Sequence, residues 1–131
     1  MNIEWQAKLM AAAKRYLEAD AVIRANPISL SACGPDLTTK EGWLYECQRN
    51  EFQSAESKLW MLTDCEYDDK DPLRAACWEW RYCKVMARKC CHYQLTTGKT
   101  DWAAETMRKL SEAETNLMTL LGLYPKLKKL C

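Results

Sequence analysis

Apolar side chains recur at steps of three and four along four stretches of the chain, and the breaks between them carry glycine, proline or capping residues. In the first stretch Trp5, Leu9, Ala12, Tyr16, Ala19 and Ile23 line one side of a helix from about Ile3 to Ala25, which Asn26-Pro27 ends. Ile28 to Leu37 contains Ser29, Ser31, Cys33-Gly34-Pro35 and Asp36 and has no period, so it predicts a loop. Thr38-Thr39-Lys40-Glu41 then offers a Thr-x-x-Glu capping box, in which hydroxyl and carboxylate satisfy two orphan backbone N–H groups reciprocally. The helix that follows continues to about Leu62, with Tyr45, Phe52, Ala55, Leu59 and Leu62 as its apolar stripe and Leu44, Cys47 and Trp60 widening it.

Residues 64–71, Asp-Cys-Glu-Tyr-Asp-Asp-Lys-Asp, repel one another too strongly to pack and predict an exposed acidic connector. Asp71-Pro72 is a good helix start, because Asp can cap the first turn and proline has no amide proton to leave unsatisfied there. The third helix extends to about Leu95. After the turn Thr96-Thr97-Gly98-Lys99-Thr100, Thr100 or Asp101 caps a fourth helix through Leu121. Its stripe is Ala103, Met107, Leu110, Ala113 or Glu114, Leu117 and Leu121. Gly122 suits the left-handed position after a helix, and Pro125 prevents resumption.

Composition agrees with this pattern. Glycine and proline number four each, and β-branched residues are too sparse to build several strands. The expectation is an all-α, four-helix single domain over residues 1–131 built from antiparallel helical hairpins, with 1–25 as an N-terminal helix, 38–121 as a helical core and 122–131 as a basic tail. At 131 residues such a chain can bury roughly two-thirds of its unfolded surface and needs neither metal nor disulfide to fold. No apolar run approaches the roughly 20 residues of a membrane span, and Met1-Asn2-Ile3-Glu4-Trp5 carries no basic flank followed by an apolar stretch. A cytoplasmic, reducing setting follows.

Eight cysteines invite a disulfide framework, but Cys90 and Cys91 are adjacent, and Cys77, Cys83, Cys90 and Cys91 fall on one helix, where mutual bridging is geometrically awkward. Free, mostly buried thiols are expected instead. Enzyme signals weaken on inspection. Gly98-Lys99-Thr100 resembles the end of a phosphate-binding loop, yet Tyr93 stands where that loop needs glycine and a helix stands where it needs a strand. Cys90-Cys91-His92 is no zinc site, since neighbours on a helix point about 100° apart, and one histidine cannot furnish a di-metal bundle. No catalytic residue, cofactor or metal is expected, and the chain reads as a non-enzyme.

The near-neutral total charge conceals segregation. Residues 1–32 carry a net +1, residues 33–72 a net −6 and residues 73–131 a net +6. At 100° per residue Arg74, Arg81 and Arg88 lie almost on one line of the third helix, with Trp78, Val85, Lys89 and His92 near it and Lys84 on its border. Leu73, Ala76, Trp80, Cys83, Ala87, Cys90 and Cys91 take the opposite, core side. Arginine's planar fork suits phosphate, so this line is a candidate nucleic-acid face. The plainer alternative is a helix side whose arginines pair with the acidic connector or the second helix. Six tryptophans and six tyrosines against one phenylalanine suit half-buried positions, including those of an oligomer interface.

The stretch Asn116-Leu117-Met118-Thr119-Leu120-Leu121-Gly122-Leu123-Tyr124-Pro125-Lys126-Leu127-Lys128-Lys129-Leu130 resembles the end of some phage terminase small subunits, where a last helix closes on a Leu-Gly-Leu-x-Pro turn followed by basic residues. The helix bearing Tyr45 and the small-residue face after it are loosely similar as well. The resemblance implies a non-enzymatic subunit that forms a homo-oligomeric ring, recognises viral double-stranded DNA and delivers it to the large terminase ATPase-nuclease. By matching the family's basic tail, Lys126, Lys128 and Lys129 are implied as phosphate or partner contacts. Where members often carry an N-terminal helix-turn-helix, residues 1–37 predict one long helix and a loop. The resulting expectation is a DNA site built from Arg74, Arg81, Lys84, Arg88, Lys89 and the tail lysines. The rival expectation is a small helical protein-binding adaptor or phage-encoded inhibitor that uses acidic residues 64–71 as a nucleic-acid mimic.

Overall fold

The computed structural model describes residues 3–30, 34–100 and 102–123. Among the described residues four α-helices give an all-α fold: α1 (Ile3–Ala25), α2 (Lys40–Leu62), α3 (Pro72–Thr97) and α4 (Ala103–Leu120). They form two compact units, Met1–Leu62 and Thr63–Cys131, each an antiparallel helical hairpin. The boundary falls within the stretch 38–121. It also regroups the charges: the first unit holds seven basic and eight acidic residues, the second twelve and ten. The acidic connector belongs to the same unit as the arginine helix.

In the first hairpin the predicted α1 stripe is the buried one, with Leu9, Ala12, Tyr16 and Ala19 joined by Ala13. Ala55 and Leu59 of α2 meet it, and the Tyr16 and Phe52 rings pack with centroids 5.4 Å apart. Alanines at four of these positions keep the seam narrow, so the few large side chains carry most of the burial, about 1.5–3 kcal/mol for each fully buried Leu. Polar contacts fix the pairing along its length. The Trp5 indole N–H donates to the Leu62 carbonyl at 2.8 Å, Arg15 forks onto Glu51 through Nε at 3.1 Å and Nη2 at 2.5 Å, and Asn26 Nδ2 donates to Gln48 Oε1 at 2.9 Å.

Two local expectations shift by one position. The α2 cap is Thr39, not Thr38: its hydroxyl accepts from the Gly42 amide at 3.0 Å, while Asp36 takes Thr38, accepting from its amide at 3.0 Å and its hydroxyl at 2.7 Å. Those two bonds hold the Asp36 carboxyl below its ordinary value. The α2 stripe is also narrower than expected, since Leu44 and Cys47 are exposed. The segment after α1 is partly ordered into a 3₁₀ turn, Pro27–Leu30, because Asn26 caps it by accepting from the Ile28 amide through Oδ1 at 3.0 Å.

In the second hairpin α3 buries Leu73, Ala76, Cys77, Trp80, Cys83 and Cys90 against Thr106, Ala113, Leu117 and Met118 of α4. Trp80 donates its indole N–H to Glu114 Oε1 at 3.2 Å, and Tyr93 meets Trp102 edge-on at 5.8 Å near the turn. Cys91, expected on the core side, is exposed. On α4 the buried position is Thr106 and not Met107, because the Thr106 hydroxyl is satisfied by the Trp102 carbonyl at 2.8 Å and its methyl can then turn inward. Thr100 supplies no side-chain cap; α4 starts from Trp102 without one, and Asp101 lies outside the described residues. The other end closes as expected, with Gly122 at φ 77° and the Leu123 amide donating to the Met118 carbonyl at 3.0 Å.

Candidate nucleic-acid interface

The candidate surface is positioned by the start of α3. Asp71 has extended backbone geometry and its Oδ1 accepts from the amides of Leu73 at 3.1 Å and Arg74 at 3.5 Å, with Pro72 at the first helical position. A cap of this kind contributes about 1 kcal/mol and fixes where the helical phase begins. From that phase the spacing of seven places Arg74, Arg81 and Arg88 along one side, away from Trp80 and Cys83.

The three arginines are not equivalent. Arg74 Nε lies 3.5 Å from Asp71 Oδ2 and its side chain is about one-third exposed. Arg81 is half-buried and donates through Nη1 to the hydroxyl of Thr63 at 3.4 Å, a residue that is itself fully buried. Between them the Trp78 indole N–H donates to the Cys65 carbonyl at 2.6 Å, and its ring meets Tyr67 edge-on at 5.7 Å. Residues 63–71 are thus drawn along the first half of the arginine line by backbone, hydroxyl and aromatic contacts. The expectation that Arg74 and Arg81 stand outward together is corrected accordingly: both engage the connector side of their own unit.

The second half of the line differs. Lys84 is half-buried, its ammonium 5.3 Å from the Trp80 ring centroid. Arg88, Lys89 and His92 are exposed. Lys126, Lys128 and Lys129 lie outside the described residues. The sequence reading gave Thr63 no role, and nothing in its type marks it; only the fold brings its hydroxyl to Arg81.

The thiols take roles set by burial. Burial first, and the neighbouring Cys65 second, push the Cys77 thiol up to about 12, and burial also raises Cys65 and Cys83. Cys83 donates to Glu79 Oε1 at 3.7 Å. Raised values are the opposite of what a nucleophilic thiolate needs. In the native protein at pH 8, alkylation followed by peptide mass spectrometry should therefore find, among the described cysteines, Cys47 and Cys91 modified first and Cys77 slower by roughly a hundredfold. Comparable rates at Cys77 and Cys91 would contradict this placement.

Among the described residues no group of three or more His, Cys, Asp or Glu side chains could hold a metal ion. No helix among them is long and apolar enough to cross a membrane. Comparison with known proteins finds no match to a family model, a curated protein or a solved structure.

Proposed function

We propose that this chain is a non-enzymatic DNA-binding subunit for viral genome packaging, of the terminase small subunit kind, working in the host cytoplasm as a ring of copies that passes duplex DNA to the large ATPase-nuclease. The observation that carries the reading is the exposure of Arg88 and Lys89 side by side in the second half of α3. Lys84 borders them, and the tail lysines Lys126, Lys128 and Lys129 extend the basic chemistry of the sequence. Contacts of this kind grip phosphates and position the duplex without reading its bases.

Salt dependence tests it. Duplex binding followed by anisotropy across a salt series should lose about two units of log–log slope when Arg88 and Lys89 are both changed to Ala, since each phosphate contact contributes roughly 0.9. The Arg81→Ala variant should keep the slope and lose stability. An unchanged slope in the double variant would remove this surface from DNA binding.

A second reading, a helical protein-binding adaptor or inhibitor, is favoured by the exposed aromatics Tyr67, Trp78 and Tyr82 on the same hairpin. Native mass with and without duplex separates the two: a monomer that ignores DNA selects the adaptor.

A further inference from the structure

The first half of α3 holds the connector in register. The Thr63 hydroxyl accepts from Arg81 at 3.4 Å, the Cys65 carbonyl accepts from the Trp78 indole at 2.6 Å, and Asp71 Oδ2 lies 3.5 Å from Arg74 Nε. Rising numbers in the connector meet falling numbers in the helix, so residues 63–71 run antiparallel to one side of α3. In that register Cys65 falls opposite Cys77, the residue before Trp78 and one turn from both Arg74 and Arg81. A hydrogen bond joins the two thiols, in the sense that favours Cys65 as the sulfur to lose its proton first.

The two sulfurs differ in access. Cys77 is completely buried, whereas Cys65 is half-buried on the connector, so a soluble reagent meets Cys65 first. The other buried thiols of α3 do not compete for it. Cys83 and Cys90 leave the helix roughly 120° and 140° away from Cys77, and Cys83 is engaged by Glu79. A disulfide requires the sulfurs to close to about 2.05 Å. The approach can come from the Cys65 side, because the stretch between Leu62 and Pro72 belongs to no helix.

We infer that Cys65 and Cys77 form a modification site for hydroperoxides, closing reversibly into a disulfide that clamps the connector to α3. The Cys65 thiolate attacks one peroxide oxygen, the O–O bond breaks, and the departing hydroxide takes up the Cys65 proton as water, leaving a sulfenic acid. The Cys77 sulfur then attacks the Cys65 sulfur, the S–O bond breaks, and hydroxide leaves with the Cys77 proton as a second water. Two thiols are oxidised to one disulfide while one hydrogen peroxide is reduced to two waters. A dithiol reopens the bridge by exchange. Burial makes the first step slow, but the second joins sulfurs that need no encounter. The bridge keeps Thr63 at Arg81 and Asp71 at Arg74, which holds the first half of the arginine line closed, whatever the second half binds.

Titration of the full chain with hydrogen peroxide, capping of the remaining thiols and tryptic mapping without reduction test the pairing. The expected product is a link between peptides 59–70 and 75–81, each with one cysteine, in a monomer lighter by two hydrogens and restored by dithiothreitol. Cys65 linked chiefly to another cysteine, or carried to sulfinic acid while Cys77 stays a thiol, would overturn the inference. In urea this link should take an at least severalfold smaller share of the disulfides, and an equal share would overturn the role of the fold. Cys65→Ser should leave Cys77 reduced at peroxide levels that link the parent, and oxidation of Cys77 in that variant would overturn the order of steps. Amide exchange across residues 63–71 should slow at least severalfold in the oxidised chain, and unchanged exchange would overturn the clamp.

Discussion

Replacing Trp80 with alanine should cost the second hairpin about 3–5 kcal/mol, a large part of what a small helical unit has to lose. The indole is completely buried and is the largest side chain in that state among the described residues. Three effects add. Removing the ring opens a cavity between α3 and α4, Glu114 Oε1 loses its 3.2 Å donor, and the Lys84 ammonium loses the aromatic face 5.3 Å away. Trp80→Phe separates these effects, since it retains most of the volume and gives up the N–H, at roughly 1–2 kcal/mol. Urea unfolding gives the totals, and amide hydrogen exchange resolved by peptide should confine the loss to α3 and α4. A Trp80→Ala variant within 1 kcal/mol of the parent would mean that the seam does not rest on this ring.

Changing Gly42 to alanine should destabilise the first hairpin by roughly 2 kcal/mol, although alanine is worth about 1 kcal/mol more than glycine in a helix interior. Gly42 is buried in the first turn of α2, and a Cβ there would fall 1.8 Å from the Asp36 carbonyl oxygen and 3.0 Å from Thr39 Oγ1. That carbonyl cannot easily give way. It accepts from the Thr39 amide at 3.1 Å and from the Thr39 hydroxyl at 2.8 Å, bonds that hold the turn entering the helix. Relief requires the turn to open and the cap to be lost with it. Thermal unfolding with peptide-resolved exchange should show residues 34–42 deprotected together, and a gain in stability would sink the close-approach account. Gly122→Ala is the contrasting case, strained by its φ of 77° yet with nothing within 4 Å of the new methyl, and should cost about 1 kcal/mol.

Long periodic elements were legible and single-position choices were not. Leu9, Ala12, Tyr16 and Ala19 are buried as their spacing implies, because a stripe repeated over about five turns leaves one phase available. The α2 cap is Thr39 where the spacing pointed to Thr38, because two adjacent threonines offer the same chemistry, and the choice was made by Asp36, two residues outside the box. Met107 outranks Thr106 on hydrophobicity, yet a threonine whose hydroxyl bonds back to the preceding turn is a small apolar group on its other side. The candidate site shows the same limit. The spacing of Arg74, Arg81 and Arg88 was visible, while the division among them depends on Thr63, Cys65 and Asp71, whose proximity is created by the connector's path.

The two ends of α4 are held unequally. Its start at Trp102 lacks a side-chain cap, whereas its finish is locked by the Gly122 turn and the Leu123 amide. Burial of Leu117, Met118 and Leu121 and the closure at Gly122 make that end the firmly held end of α4. Asn116 and Leu120 therefore ride on the anchored end of the helix, not on its uncapped one.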